Sequence, residues 1–194
     1  MARTPTITDE QILEAARQVF LEQGFNAPAT DIAARAGISS GSIFKRYQTK
    51  EALFFAAMNC ESQWAGGLGS LVGHGELKVN LEAIAHAVLS FARELLPRLM
   101  LSWSVRQQNR EDHEPVLARD IRLLSEFFLA ERELGRLRPS LDTEVTATMF
   151  IGTIVNYAML EVLSEKENIN LEEFVKAFVD TLWKGLISSP PDRF

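Results

Sequence analysis

Apolar residues recur at three- and four-residue spacing along most of the chain, the signature of helices with one buried face. Ile12, Ala15, Ala16, Val19 and Phe20 form the first such face. Thr8 and Gln11 before it fit a capping box, in which hydroxyl and amide satisfy each other's backbone N–H groups. Gly24 ends this helix. A second, Ala29–Ala36, turns Ile32, Ala33 and Ala36 inward and is closed by Gly37. A third, Ser40–Tyr47, is anchored by Ile43 and Tyr47. Thr49-Lys-Glu starts a fourth, which the pattern carries to about Trp64. Residues 66–75 are glycine-rich and read as a flexible link. Helices are predicted beyond it at about 78–95, 98–110, 115–134, 143–165 and 171–188, with Pro97, Pro115 and Pro139 at the joints, where a missing N–H costs least. Asn170-Leu-Glu-Glu173 is a second capping-box pattern. A strand competes only at Val145–Val155, which is rich in β-branched residues; its length and lack of a partner strand favour helix. The fold class is all-α.

The last two helices carry more apolar surface than a stripe requires. Leu171, Phe174, Val175, Phe178, Val179, Leu182, Trp183, Leu186 and Ile187 sweep more than half of a helical wheel. The helix before is apolar almost all round, with Val145, Met149, Phe150, Ile151, Ile154, Val155, Ala158, Met159 and Val162. A chain of 194 residues has little with which to cover both. A second copy is the simplest cover, with Val155, Val162, Phe174, Phe178 and Leu182 at the interface. The alternative is that both helices are central in one monomer.

Composition narrows the classes. The single cysteine, Cys60, excludes an intramolecular disulfide framework. The first residues have no apolar stretch behind their charge, and the run Met149–Leu160 is too short for a bilayer, so a cytoplasmic protein without a membrane partner is expected. Net charge is −6. Residues 1–50 hold six Lys/Arg against five Asp/Glu, and the rest hold fourteen against twenty-one. Any surface for nucleic acid must therefore be local to the first fifty residues.

Those residues contain the two short helices and glycine-containing turn of a helix-turn-helix, over Asp31-Ile-Ala-Ala-Arg-Ala-Gly-Ile-Ser-Ser-Gly-Ser-Ile-Phe. Ala33 and Ala36 keep the first helix thin at the crossing, Ile38 plugs the core, and Ser39 caps the second helix. Ser40, Ser42, Lys45 and Arg46 are left outward. Short polar residues permit close approach to a groove, and Lys and Arg reach guanine edges or phosphates. Each residue also has a bland reading, as a cap or a solvated charge.

Residues 12–53, with Phe-x-x-x-Gly-Phe, Asp-Ile-Ala-x-x-Ala-Gly-Ile-Ser-x-Gly-Ser-Ile-Phe-x-x-Tyr and Thr-Lys-Glu-x-Leu, resemble the DNA-binding domain of the TetR family. The resemblance implies an N-terminal three-helix DNA-binding domain, residues 1–48, and a helical ligand-binding and dimerisation domain, residues 49–194, linked through helix 49–65. It implies a homodimer on a double-stranded DNA operator, released by a small-molecule effector, with the last two helices in the dimer interface. Carried over by position, the DNA-contacting set is Ser40, Ser42, Lys45, Arg46, Tyr47 and Lys50. Pro28 stands near a position where relatives have threonine, and Thr30 is the candidate replacement. Phe44 stands where tyrosine is common, which removes a hydroxyl.

Enzymatic signatures are absent. His74, His86 and His113 are scattered, no H-E-x-x-H or C-x-x-C occurs, and neither metal nor cofactor is expected. A helical carrier and a bundle enzyme are the rivals; the outward Lys/Arg argue against the first, and the lack of Glu-x-x-His ligands against the second. Met100, Trp103, Phe127, Phe128, Met149, Phe150 and Tyr157 suit an effector cavity with Arg106, Asn156 and Tyr157 as polar handles, although a plain core is the alternative. A mostly apolar effector fits that composition.

Overall fold

The computed structural model describes residues 7–105, 116–164 and 171–187. Among them every regular element is helical: α1 (Asp9–Gln23), α2 (Ala29–Ala36), α3 (Ser40–Arg46), α4 (Lys50–Met58), a 3-10 turn (Trp64–Gly67), α5 (Leu68–Leu71), α6 (Leu77–Val105), α7 (Val116–Glu133), α8 (Thr143–Ser164) and α9 (Leu171–Leu186). The stretch Val145–Val155 is thus helix. The chain divides into two compact units, Met1–Cys60 with Pro97–Glu111, and Glu61–Leu96 with Asp112–Phe194.

In the first unit the capping box forms as the sequence requires. Thr8 Oγ1 accepts from Gln11 N at 3.3 Å, and Gln11 Oε1 accepts from Thr8 N at 3.0 Å. All five apolar residues of the α1 face are buried. Four of them, Ile12, Ala16, Val19 and Phe20, pack with Ile32, Ala33, Ile43, Leu53, Phe54, Ala57 and Met58 around an aromatic knot in which Phe54 meets Phe20 and Phe25 edge-on, each at 5.1 Å. Burial of those α4 residues explains why α4 falls in this unit, although the sequence placed it with the regulatory domain.

Two expected boundaries are corrected. First, α4 stops at Met58, where Asn59 is extended at φ −56°, ψ 135°, instead of reaching Trp64. Beyond it Cys60 and Ser62 are buried, and the Ser62 hydroxyl donates to the buried Asp120 carboxylate on α7. Tertiary burial here outweighs helical propagation. Second, α6 runs through Pro97 as one helix. A mid-helix proline forfeits one backbone bond, but Leu95, Leu96 and Arg98 around it are buried. The glycine-rich stretch is also more ordered than a link. It forms the 3-10 turn and α5, and Gly73 and Gly75 take positive φ. Gly73 N donates to the fully buried Glu131 (2.8 Å), which pairs with Arg136, and Arg136 donates onward to the Gly75 carbonyl at 2.6 Å.

Burial pushes the Asp120 carboxyl above the ordinary aspartate range, against the Ser62 hydrogen bond, the charge of Arg119 and the Trp64 indole, all of which favour ionisation. A carboxyl raised in the folded state costs stability once it is ionised, and the cost disappears as pH falls below the unfolded-state value. Asp120→Asn keeps an acceptor for Ser62. It is therefore expected to be at least as stable as wild type at neutral pH, with the difference fading in acid. Denaturant titrations at several pH values check this; a strong loss at neutral pH would contradict it.

The second unit is built on α7 and α8 with α6 and α9. Leu81, Leu89, Leu124, Phe128, Phe150, Ile154 and Val179 are among its core residues. Asp142 caps α8, its carboxylate accepting from Val145 N at 3.0 Å. An aromatic ladder crosses the unit from Phe127 through Phe128 (5.8 Å), Phe150 (6.2 Å), Phe178 (5.2 Å) and Phe174 (6.1 Å) to Tyr157, which stacks on Phe174 at 3.7 Å. Contrary to expectation, Thr143–Leu163 is long and apolar enough, by length and composition alone, to cross a membrane. Its inner face, with Ala147, Phe150, Ile151, Ile154 and Ala158, is buried in the protein core.

Candidate nucleic-acid interface and regulatory core

Gly37 makes the turn between α2 and α3. It sits at φ 69°, ψ 28°, the left-handed region open to glycine without penalty. Its N–H reaches Ala34 O at 3.2 Å, and Ile38 N reaches Ala33 O at 3.0 Å, so the last carbonyls of α2 are satisfied. Ser39 then caps α3, its hydroxyl accepting from Ser42 N at 3.2 Å. Ile43 is fully buried and fixes the inner face of α3, with Tyr47 half-buried behind it.

The opposite face carries the sequence-predicted contacts. Ser42, Lys45 and Arg46 are exposed and Ser40 is half-buried. The helix Ser-Gly-Ser-Ile-Phe-Lys-Arg holds no acid. The Ser42 hydroxyl lies 2.9 Å from that of Ser39 and so shares in the cap. Arg46 is not free: Nη1 pairs with Asp9 Oδ1 at 2.7 Å, and Nη2 donates to Ile7 O at 3.1 Å. Neither partner was legible in the sequence, because both lie more than thirty residues away. Lys50 begins α4, where the helix dipole disfavours a cation; its Nζ rests 5.3 Å from the centroid of the Phe25 ring. Thr30 is exposed in the first turn of α2, whose N-cap Pro28 offers no side-chain acceptor. Arg35 grips Glu22 with both nitrogens at 2.7 and 2.8 Å, tying α2 to α1. That bidentate hydrogen bond holds the Glu22 carboxyl below its usual range.

The residues of the expected effector wall fall in both units. Phe127, Phe128, Phe150 and Tyr157 join the core of the second unit. Met149 and Asn156 point outward from α8, while Met100 and Trp103 belong to the first unit and are exposed, Trp103 by 79%. Arg106 lies outside the described residues. Periodicity sets the spacing of a face but not which neighbour it meets. Sequence reasoning missed Phe174 as the partner of Tyr157. The Tyr157 hydroxyl is buried with no hydrogen-bond partner among the described residues, and burial first, then Glu161, pushes it above the ordinary tyrosine range.

The residues of the expected dimer set differ in how much they expose. Val155, Phe174, Phe178 and Leu182 pack half-buried against the core of their own unit, and of the five only Val162 is exposed. The apolar residues that face outward are Val145 (53%), Met149 (57%), Leu160 (52%) and Leu163 (61%), aligned along the side of α8 opposite its core face. Gly152 lies on the same side, with nothing within 4 Å of where a Cβ would stand.

Residues 12–57 match the family model of bacterial regulatory proteins, tetR family. No curated protein matches the chain. Among solved structures, a putative TetR-family transcriptional regulator from Mesorhizobium loti superposes with a TM-score of 0.71 at 20% identity, over 93% of this chain and 96% of its own. A TetR transcriptional regulator from Streptomyces coelicolor gives 0.63 at 20%, over 94% and 100%. The regulator FadR from Bacillus subtilis, solved with stearoyl-CoA, gives 0.62 at 18%, over 92% and 99%. At these identities the similarity speaks to the fold.

Proposed function

We propose that the chain, whose residues 12–57 match the family model of bacterial regulatory proteins, tetR family, is a DNA-binding transcriptional regulator of that family, that it represses transcription as a cytoplasmic homodimer on a palindromic operator, and that a mostly apolar small molecule releases it. The observation that carries the reading is the α2–Gly37–α3 arrangement, with an acid-free outer face on a short, capped helix. Two such helices in successive major grooves read half-sites about one helical turn apart. Ser40 and Ser42 permit close approach, and Lys45, exposed and without an ion-pair partner among the described residues, reaches base edges or phosphate. Lys50 and Thr30 supply phosphate contacts at the starts of α4 and α2.

The outward apolar side of α8 supports the homodimer. A solvated helix gains nothing from four exposed large apolar side chains. Nothing among the described residues lies within 4 Å of where a Cβ at position 152 would stand, which leaves room for the close approach of a partner helix. Ala177, Thr181 and Gly185 add small exposed positions on α9.

For the effector, the support is the aromatic ladder ending at the unpartnered Tyr157 hydroxyl. A ligand entering there contacts aromatic faces and gives that hydroxyl a partner. Stearoyl-CoA bound to the Bacillus subtilis relative makes long-chain fatty acids and their thioesters the first compounds to try. Release requires the ligand to prefer one of two conformations, so DNA must weaken ligand binding by the same factor by which ligand weakens DNA binding. Titration of such a compound with and without the DNA upstream of the gene tests this. Equal affinities would remove that compound as an effector.

Lys50→Ala is expected to weaken preferred and random DNA to a similar degree. It should also flatten the log–log salt dependence by about 0.9 for each phosphate that the lysine neutralises. Fluorescence anisotropy over a salt series checks it. An unchanged slope would assign Lys50 to the Phe25 ring alone.

A further inference from the structure

We propose that Arg46 is a positioning residue, which sets the angle of the recognition helix by clasping the start of α1, and does not itself touch DNA. This rests on the DNA-binding reading above and deepens it by separating the side chain that orients α3 from those that read the operator.

The geometry is specific. Arg46 is the last residue of α3, and Asp9 is the first of α1. One guanidinium nitrogen pairs with the Asp9 carboxylate at 2.7 Å, and the other donates to the Ile7 carbonyl at 3.1 Å. The planar fork of arginine fits two acceptors fixed relative to each other, an arrangement that lysine, a point charge on a flexible stem, does not reproduce. Asp9 and the Ile7 carbonyl are so fixed, because Thr8 between them is locked in the capping box.

This clasp matters because α3 has few other anchors. It spans seven residues and completely buries one side chain, Ile43. The Ser39 cap and the Gly37 turn secure its N-terminal end. At its C-terminal end are the half-buried Tyr47, whose N–H reaches Ile43 O at 2.9 Å, and the Arg46 clasp. Arg46 and Asp9 side chains are 34% and 62% exposed, so the pair adds little to global stability. Orientation is another matter: small errors in helix angle misplace base-reading atoms while leaving non-specific phosphate attraction intact.

The clasp also neutralises Asp9, an acid set beside the end of the recognition helix. A bare carboxylate there would repel phosphates of any sequence. That effect acts equally on preferred and random DNA, so it cancels in their affinity ratio, and the ratio is the quantity to measure.

The test compares wild type, Arg46→Ala, Asp9→Ala, Arg46→Lys and the double alanine variant, each shown folded by circular dichroism. Probes are the duplex selected by wild type from a randomised pool and a scrambled duplex of equal length. Either single alanine change should lower the specific-to-random ratio by about fivefold. The double variant, which removes both charges together, should lose no more than one of them and keep the wild-type salt slope, and Arg46→Lys should fail to rescue. If Asp9→Ala keeps the full ratio while Arg46→Ala loses it, Arg46 reads DNA directly and the proposal falls. A salt slope flattened by about 0.9 in the double alanine variant makes Arg46 a phosphate contact and also overturns the proposal. If wild type selects no sequence at all, the DNA-binding reading falls first and this inference with it.

Discussion

Leu160→Glu is expected to turn the proposed dimer into a folded monomer and to abolish specific DNA binding. Leu160 is 52% exposed on the outer side of α8, so a carboxylate there costs little in an isolated chain. Placed between two copies it is desolvated without a partner, and in a two-fold interface the penalty occurs twice. An uncompensated buried charge costs about 3–5 kcal/mol, or roughly a hundred- to several-thousand-fold in the dimer equilibrium for each copy. Specific binding follows because a monomer grips one half-site and loses the linkage to the other. Phe178→Glu, which the sequence alone would suggest, is a poorer test. Phe178 stacks on Phe174 and meets Phe150 at 5.2 Å, so its loss disrupts the monomer core as well. Sedimentation velocity at micromolar concentration distinguishes the outcomes. A wild-type monomer, or a Leu160→Glu dimer, would place the interface elsewhere.

Phe150→Ala is expected to destabilise the fold by about 3–5 kcal/mol, the range for removing a buried phenylalanine and leaving a cavity. Phe150 is completely buried, and it joins Phe128 on one side to Phe178 on the other. At about 2–4 °C per kcal/mol for a chain of this size, the midpoint should fall by roughly 6–20 °C. Protein concentration must be held constant, because the proposed dimerisation would also contribute to apparent stability. Trp103→Ala provides the contrast. Trp103 is 79% exposed, and its replacement should shift stability by less than about 0.5 kcal/mol. Equal effects from the two changes would mean that the aromatic ladder is not the core of its unit.

What could be read from the sequence was local. The Thr8–Gln11 box, the left-handed Gly37, the Ser39 cap and the inward Ile43 each depend on residues within one or two turns, and all are found as expected. What escaped depends on distant partners. Nothing near Asn59 announces that α4 stops so that Ser62 can reach Asp120 on another helix. Pro97 is a sound helix breaker by propensity, yet buried neighbours on both sides carry α6 through it. The wheel showed a broad apolar sweep on both α8 and α9, but wheel position does not say how much of it the core takes: the exposed large apolar residues are on α8 and none is on α9 among the described residues. Phe174 and Phe178 went to the core, and Met149 and Leu160 to the outside. Arg46 is the sharpest case: its partner Asp9 lies thirty-seven residues earlier, beyond the reach of any local pattern.

The central claim is sequence-specific recognition by a two-fold pair of α3 helices. Its most direct measurement is selection of duplexes from a randomised pool by the full-length wild-type protein, followed by footprinting of the enriched site. The expected result is an inverted repeat with half-site centres about one helical turn, ~34–36 Å, or a multiple apart, one dimer bound, and protection of both half-sites. No enriched sequence, or a single unrepeated half-site occupied by one chain, would contradict it.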